Sequence, residues 1–323
     1  MRVSALFLAV SISSLAWASI VPETSYQPGK TGLEERAKDK PKPKPKPRPK
    51  PYDRPKPTPD PDADKPFTFV INCSPYLGSG GKQRNGAGET CNTMCFGTQC
   101  HLKTNTYTFD GADEPKKDVR RERVGCNRPK GVPGWENVCK TEDWKKKNGD
   151  KTSCDEFPFA STSDADGGKQ FFRCASETNQ NSQGAQVKNA GAACKKRNKK
   201  NGKPEFPCKF TLSFKGEEHF KYCKKNPDCK PDGNLFTKGN KPMTKRDLDT
   251  RTPALQGGYY QLRSGETIYS PSDLEIGTVA VRNVFSNNTI PDDEAKVLAA
   301  RGLFDDSAWE DEEFVEDEVV AKL

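Results

Sequence analysis

The hydrophobic and polar positions mark three short stretches of the chain as strand candidates. Phe67-Thr68-Phe69-Val70-Ile71 puts Phe67, Phe69 and Ile71 on one face, the pattern of a half-buried strand. Lys169–Cys174 reads as a second strand. Phe206–Phe214 reads as a third, with Phe210, Leu212 and Phe214 alternating against Lys209, Thr211 and Ser213. Gln186–Lys196 spaces Val187, Ala190 and Cys194 as a short helix would. Long polar loops separate these pieces. The expected fold is a small α+β domain, with a short antiparallel sheet and long loops.

The ends have a different character. Residues 1–18 combine Arg2, an apolar run and a small-x-small step at Ala16-Trp17-Ala18, which is the pattern of a secretory signal peptide. No other run approaches the roughly 18 apolar residues of a spanning helix, so no membrane segment is expected once the signal is removed. Residues 40–51, KPKPKPKPRPKP, cannot pack a core and should form an extended polyproline arm. The stretch 303–323 holds nine Asp or Glu against one Lys. The expected division is a signal at 1–18, a disordered basic arm at 19–65, a domain at 66–235, and a linker with a disordered acidic tail at 236–323.

Only 32% of the residues are apolar and the mean hydropathy is −0.92, so the core should be modest. Twelve cysteines compensate: Cys73, Cys91, Cys95, Cys100, Cys126, Cys139, Cys154, Cys174, Cys194, Cys208, Cys223 and Cys229. An even number in an exported chain predicts a disulfide framework and an extracellular destination, each bridge contributing roughly 2–4 kcal/mol. The competing reading is zinc on Cys91, Cys95, Cys100 and His101, but no Cys-x2-Cys pair occurs. Asn72-Cys73-Ser74 and Asn287-Asn288-Thr289 fit the N-glycosylation pattern.

The formal charge is +8 despite the acidic tail, so the remainder should attract polyanions. The run Lys195–Lys203, with six Lys or Arg, reads either as a phosphate track or as a solvated loop. Two histidines, His101 and His219, leave little room for a Ser-His-Asp or Cys-His site. Carboxylates remain. Asp155-Glu156 is followed at once by Phe157-Pro158-Phe159, and Cys154 precedes it. Aromatic burial and proline would hold the two acids at the edge of a core. Hard divalent cations take such oxygen ligands, and Asp166, Glu177, Asn179, Asn181, Gln183 and Asn189 follow within a short distance.

CDEFPFASTSDADGG followed by RCASETNQNSQGAQVKN resembles the NucA/NucB family of secreted deoxyribonucleases, including its cysteine-rich fungal relatives. Asp155 to Ala160 match the family motif throughout, and Asp166-Gly167-Gly168 fits its acid-Gly-Gly step. Gly184 and Asn189 also fall in place. The family's second acid position falls on Asn179, with Glu177 two residues earlier; either Glu177 serves or this copy lacks that carboxylate. The resemblance implies a secreted endonuclease that hydrolyses DNA phosphodiester bonds, with little sequence preference, using a divalent cation (magnesium or manganese). It assigns catalysis to Asp155, Glu156 and Glu177, and metal ligation to Asp155, Glu156 and Asp166. Contacts to the DNA phosphate backbone fall to Arg173, Asn179, Gln183, Asn189, Lys195, Lys196 and Arg197. The alternative is a non-catalytic, cysteine-rich secreted effector or polyanion-binding protein on a nuclease-like scaffold.

Overall fold

A computed structural model describes residues 65–77, 83–129, 131–197, 199–200, 203–204, 206–248, 252–283 and 314–323. The expected signal peptide, the Lys/Pro arm and Asn287 lie outside the described residues. The chain divides into two units, Met1–Lys56 and Pro57–Leu323, and the description concerns the second.

In chain order the main elements are β1 (Phe67–Asn72), α1 (Thr90–Phe96), β2 (Thr106–Phe109), α2 (Glu114–Val124), α3 (Glu142–Asn148), β3 (Ser153–Phe157), β4 (Phe171–Ala175) and α4 (Glu177–Arg197). They continue with β5 (Cys208–Lys215), β6 (Phe236–Thr237), β7 (Gly258–Leu262), β8 (Thr267–Ser270), β9 (Val279–Asn283) and β10 (Phe314–Lys322). Six of the strands close a barrel in the order β1-β9-β10-β7-β8-β5, with β5 pairing back onto β1. β2 adds a further strand on β5. β1 runs parallel to both of its neighbours, with Phe67 opposite Phe210 and Phe69 opposite Val281. The other barrel pairings are antiparallel.

This corrects the expected short antiparallel sheet flanked by a disordered acidic segment. β7 to β10 all come from the span read as linker and tail. β10 crosses the acidic stretch itself. Val70, Tyr260, Leu262, Ile268, Ala280 and Val319 fill the barrel interior. The acids of β10 answer arginines: Asp317 pairs with Arg282 at 3.1 Å and Glu316 with Arg197 at 3.2 Å.

β1 is buried along its whole length. Its Phe67, Phe69 and Ile71 face outward from the barrel, where they join Phe210, Leu212 and Phe214 of β5 in a larger core with α1 and α4. Parallel strands covered on both faces require this kind of all-round burial. Beyond the helices lies a smaller sheet, ordered β3-β4-β6 and then Lys241–Pro242. α4 is thus sandwiched between the barrel and β3.

α4 begins two turns earlier than its apolar spacing predicts. The Ser176 hydroxyl accepts from the Asn179 N–H at 3.3 Å and caps the helix. Buried Ser182, Gln183, Gln186, Ala190, Ala193 and Cys194 then follow at helical spacing. Gln186 bonds both backbone groups of Asn72 at the end of β1, at 2.8 and 3.1 Å. Asn72 is itself buried, so the first glycosylation pattern is sealed inside the fold.

All twelve cysteines pair: Cys73–Cys91, Cys95–Cys223, Cys100–Cys229, Cys126–Cys154, Cys139–Cys174 and Cys194–Cys208. No thiolate is left for the zinc reading.

Candidate active site

The acidic pair lies on β3, the edge strand of the small sheet. Successive side chains on a strand point to opposite faces, so Asp155 and Glu156 part company. Asp155 faces α1 and α4 and is fully buried. Gln183 Nε2 donates to its Oδ1 at 2.9 Å. Its Oδ2 makes no hydrogen bond of good geometry among the described residues. Burial pushes the Asp155 carboxyl up to about 8. The nearby Thr93 hydroxyl opposes the rise most, the negative charge of Glu156 adds to it, and the Gln183 amide and the Arg173 guanidinium also oppose it.

Glu156 faces outward, its side chain 11% exposed, with Arg121 Nε 3.4 Å from Oε1. Burial raises its carboxyl, and the Arg121 charge works against that rise. Two clefts meet at this residue. One, of about 530 Å³, runs along α4 between Gln180 and Lys195. The other, of about 550 Å³, is more polar and is lined by Asp118, Asn127, Lys140, Ser153 and Glu177. Arg121, Glu156 and Gln180 line both. Gln180 Oε1 is buried without a partner among the described residues.

The turn after β3 is held from below. Phe157, with a cis peptide to Pro158, and Phe159 pack edge to face at 5.2 Å inside the main core. Arg120 is fully buried beneath them. It donates to the Ala160 carbonyl at 2.8 Å, to Asp110 at 2.7 and 3.2 Å, and to Asp166 at 2.5 and 3.0 Å. Disulfide Cys126–Cys154 ties the start of β3 to the end of α2. The arginine one position before Arg121 therefore braces the turn that follows β3, the strand on which Glu156 sits.

The remaining sequence-derived candidates divide. Glu177 lines the polar cleft with Glu156, and Lys195 lines the α4 cleft. Gln183 borders that cleft but spends its amide on Asp155. Asp166, expected as a metal ligand, has both oxygens on Arg120 and a further contact to Arg123 at 3.2 Å. Those arginines hold its carboxyl below the usual range. Arg173, expected on phosphate, is buried against Asp232 at 2.9 Å. Asn179 accepts from the Glu89 N–H and donates to the Gly86 carbonyl, both at 3.4 Å, so it fastens the 86–89 loop. Of the two residues weighed for the second acid position, it is Glu177 that faces the cleft.

Asn189 donates to Asn283 at 3.0 Å and joins α4 to β9. Lys196 lies over the Phe314 ring and Arg197 pairs with Glu316. His101 is buried, its Nε2 2.9 Å from the Lys169 carbonyl oxygen. Sequence reasoning missed Gln180 and Lys140, which carry no motif.

Comparison with known families gives one finding. Residues 94–203 match the family described as Deoxyribonuclease NucA/NucB. No curated protein and no solved structure matches the chain significantly. The matched segment lies wholly between β1 and β5, two adjacent barrel strands.

Proposed function

We propose, from the match of residues 94–203 to the family described as Deoxyribonuclease NucA/NucB, that the protein is a secreted endonuclease hydrolysing DNA phosphodiester bonds with the help of a divalent cation, magnesium or manganese, and with little sequence preference. One observation carries the reading: Glu156 of the family-like motif stands where two clefts meet, 3.4 Å from Arg121. Six disulfides favour an oxidising, extracellular setting.

Among the described residues no group of three or more His, Cys, Asp or Glu gathers to hold a metal. A hydrated magnesium ion needs less, since it keeps several waters and takes one or two carboxylates. Glu156 and the unpartnered Gln180 Oε1 suit that requirement, with Glu177 on the same cleft. Such an ion, when bound, supplies charge compensation at a phosphoryl oxygen and a more acidic water.

The chain's own groups do the rest. Glu156 accepts a proton from the attacking water as general base. Arg121 offers a planar donor fork to the phosphate and steadies the charge gained in the transition state. Exposed Lys140 draws the strand into the polar cleft. Asp155 is a positioning residue, bolting β3 to α4 through Gln183.

A plasmid-nicking assay with magnesium or manganese tests this. EDTA should abolish nicking, and Glu156→Gln should lower kcat by about 100-fold or more. Asp155→Asn, which keeps the shape, should cost much less. A wild-type protein that nicks nothing with either metal would overturn the reading in favour of polyanion binding without catalysis.

A further inference from the structure

The cleft along α4 is not shaped for a phosphate backbone alone. Its floor is apolar, made by Phe159, Val187 and the partly buried Phe206. Its rim is basic, with Lys117, Lys188 and Lys195 beside Arg121. Lys188 and Lys195 form no ion pair among the described residues, and Lys195 lies 5.0 Å from the Phe206 ring centroid.

Two glycines of α4, Gly184 and Gly191, line the same cleft. A methyl group built on either would meet nothing within 4 Å, and neither has a positive φ. Neither the backbone nor the packing asks for glycine there, and glycine weakens a helix interior. What the two glycines preserve is open space.

We propose that this cleft holds single-stranded or locally unpaired DNA, with nucleobases on the apolar floor and phosphates on the lysine rim, leading the strand to Glu156. Duplex DNA stacks its bases inside and offers phosphates outside, so an apolar floor would meet no partner in it. An unpaired strand offers both chemistries, and base contacts of this kind tolerate any sequence. The inference rests on the nuclease reading for the direction of the strand toward Glu156, but occupancy of the cleft is measured without cleavage.

The experiment is binding in EDTA of a fluorescent oligothymidylate and of a hairpin duplex of equal charge. Wild type should prefer the single strand by about tenfold. Gly184→Leu and Gly191→Leu should each weaken single-strand binding by about tenfold while leaving duplex binding and Tm no lower than wild type. Lys188→Glu with Lys195→Glu should weaken binding and flatten its salt dependence. Equal affinity for the two ligands, or glycine variants that bind the single strand like wild type, would overturn the proposal. Loss of nicking activity in wild type would strike the nuclease reading and leave this binding result to be judged by itself.

Discussion

The barrel and the segment inserted between β1 and β5 are stabilised in opposite ways. No disulfide joins two barrel strands, and every disulfide has at least one cysteine within 73–207. The closed barrel leaves its strands paired around the ring and fills its interior with side chains from β1, β7, β8, β9 and β10. Closure removes sheet edges, so backbone pairing and a compact core suffice. Among the described residues the insertion pairs only β3 with β4 as longer strands within itself and lends β2 to the barrel strand β5; the rest is mainly helices and loops. A sheet of that size is marginal by itself, and covalent cross-links restrict its unfolded state instead. The lesson is that the segment matching the nuclease family borrows order from staples, while the barrel supplies a rigid wall for α4.

Removing a long-range staple should separate the two regions most sharply. Cys95 and Cys223 close a separation of 128 residues, and replacing both with alanine should cost about 4–5 kcal/mol in denaturant unfolding. Amide exchange should quicken in α1, β3 and β4 well before it does in β7 and β8. Uniform acceleration would erase the distinction drawn above.

Arg120→Ala comes next. It leaves the mostly buried Asp110 carboxylate with Lys116 as its one remaining ion-pair partner among the described residues and frees the Ala160 carbonyl, at a cost of roughly 3–5 kcal/mol. The lower end of that range is expected, because the Asp166 side chain is 43% exposed. Nicking should fall with stability, since the turn under Glu156 loses its brace.

In the barrel, Leu262→Ala should cost roughly 2–4 kcal/mol by leaving a cavity. The expected contrast is a lower Tm with nicking at 25 °C retained, and a variant inactive well below its Tm would show that the site depends on the barrel interior.

Acid should act on the insertion through the same arginine. Burial pushes Asp110 up, but its bonds to Arg120 and Lys116 outweigh that and hold the carboxyl well below its ordinary range. Arg120 and Arg123 also lower Asp166. Depressed folded values contribute stability above the unfolded pKa near 4, and that stability is lost as pH falls through the folded values. Stability against pH should therefore drop below about pH 4 in wild type and drop less in Arg120→Met.

The smallest effect is a gain. Gly191→Ala should add about 0.5–1 kcal/mol to α4, because its Cβ meets nothing.

Some of this was legible in the sequence. β1 and β5 announce themselves by their patterning, β4 by a short aromatic run, and the Asp155–Ala160 motif points to the candidate site. The start of α4 is hidden by a polar first turn, Thr178-Asn179-Gln180-Asn181, whose helical fate depends on the Ser176 cap and on Gln183 and Gln186 finding buried partners. The hairpin β7–β8 did carry a signal, Tyr-Tyr-Gln-Leu and Thr-Ile-Tyr-Ser around Ser264-Gly265, with Gly265 at φ 89°. It was masked by the Gly- and Lys-rich stretch before it. β10 was not legible locally. Of its nine residues only Val319 is buried, and its acids make sense only beside Arg282, Arg197 and Arg263. Likewise Asp166 passes for a ligand until Arg120, 46 positions away, claims it. Which acid of the pair meets the cleft follows from strand alternation once β3 is recognised.

The place of β10 between β9 and β7 sets a timetable for synthesis. The cysteines end at Cys229 and the strand begins at Phe314, so an emerging chain can oxidise its staples while the ring still lacks one stave. Until that stave arrives, β7 and β9 each present an open edge. A chain shortened before Phe314 would keep its whole nuclease-like segment and still be the form most prone to pair with its own kind.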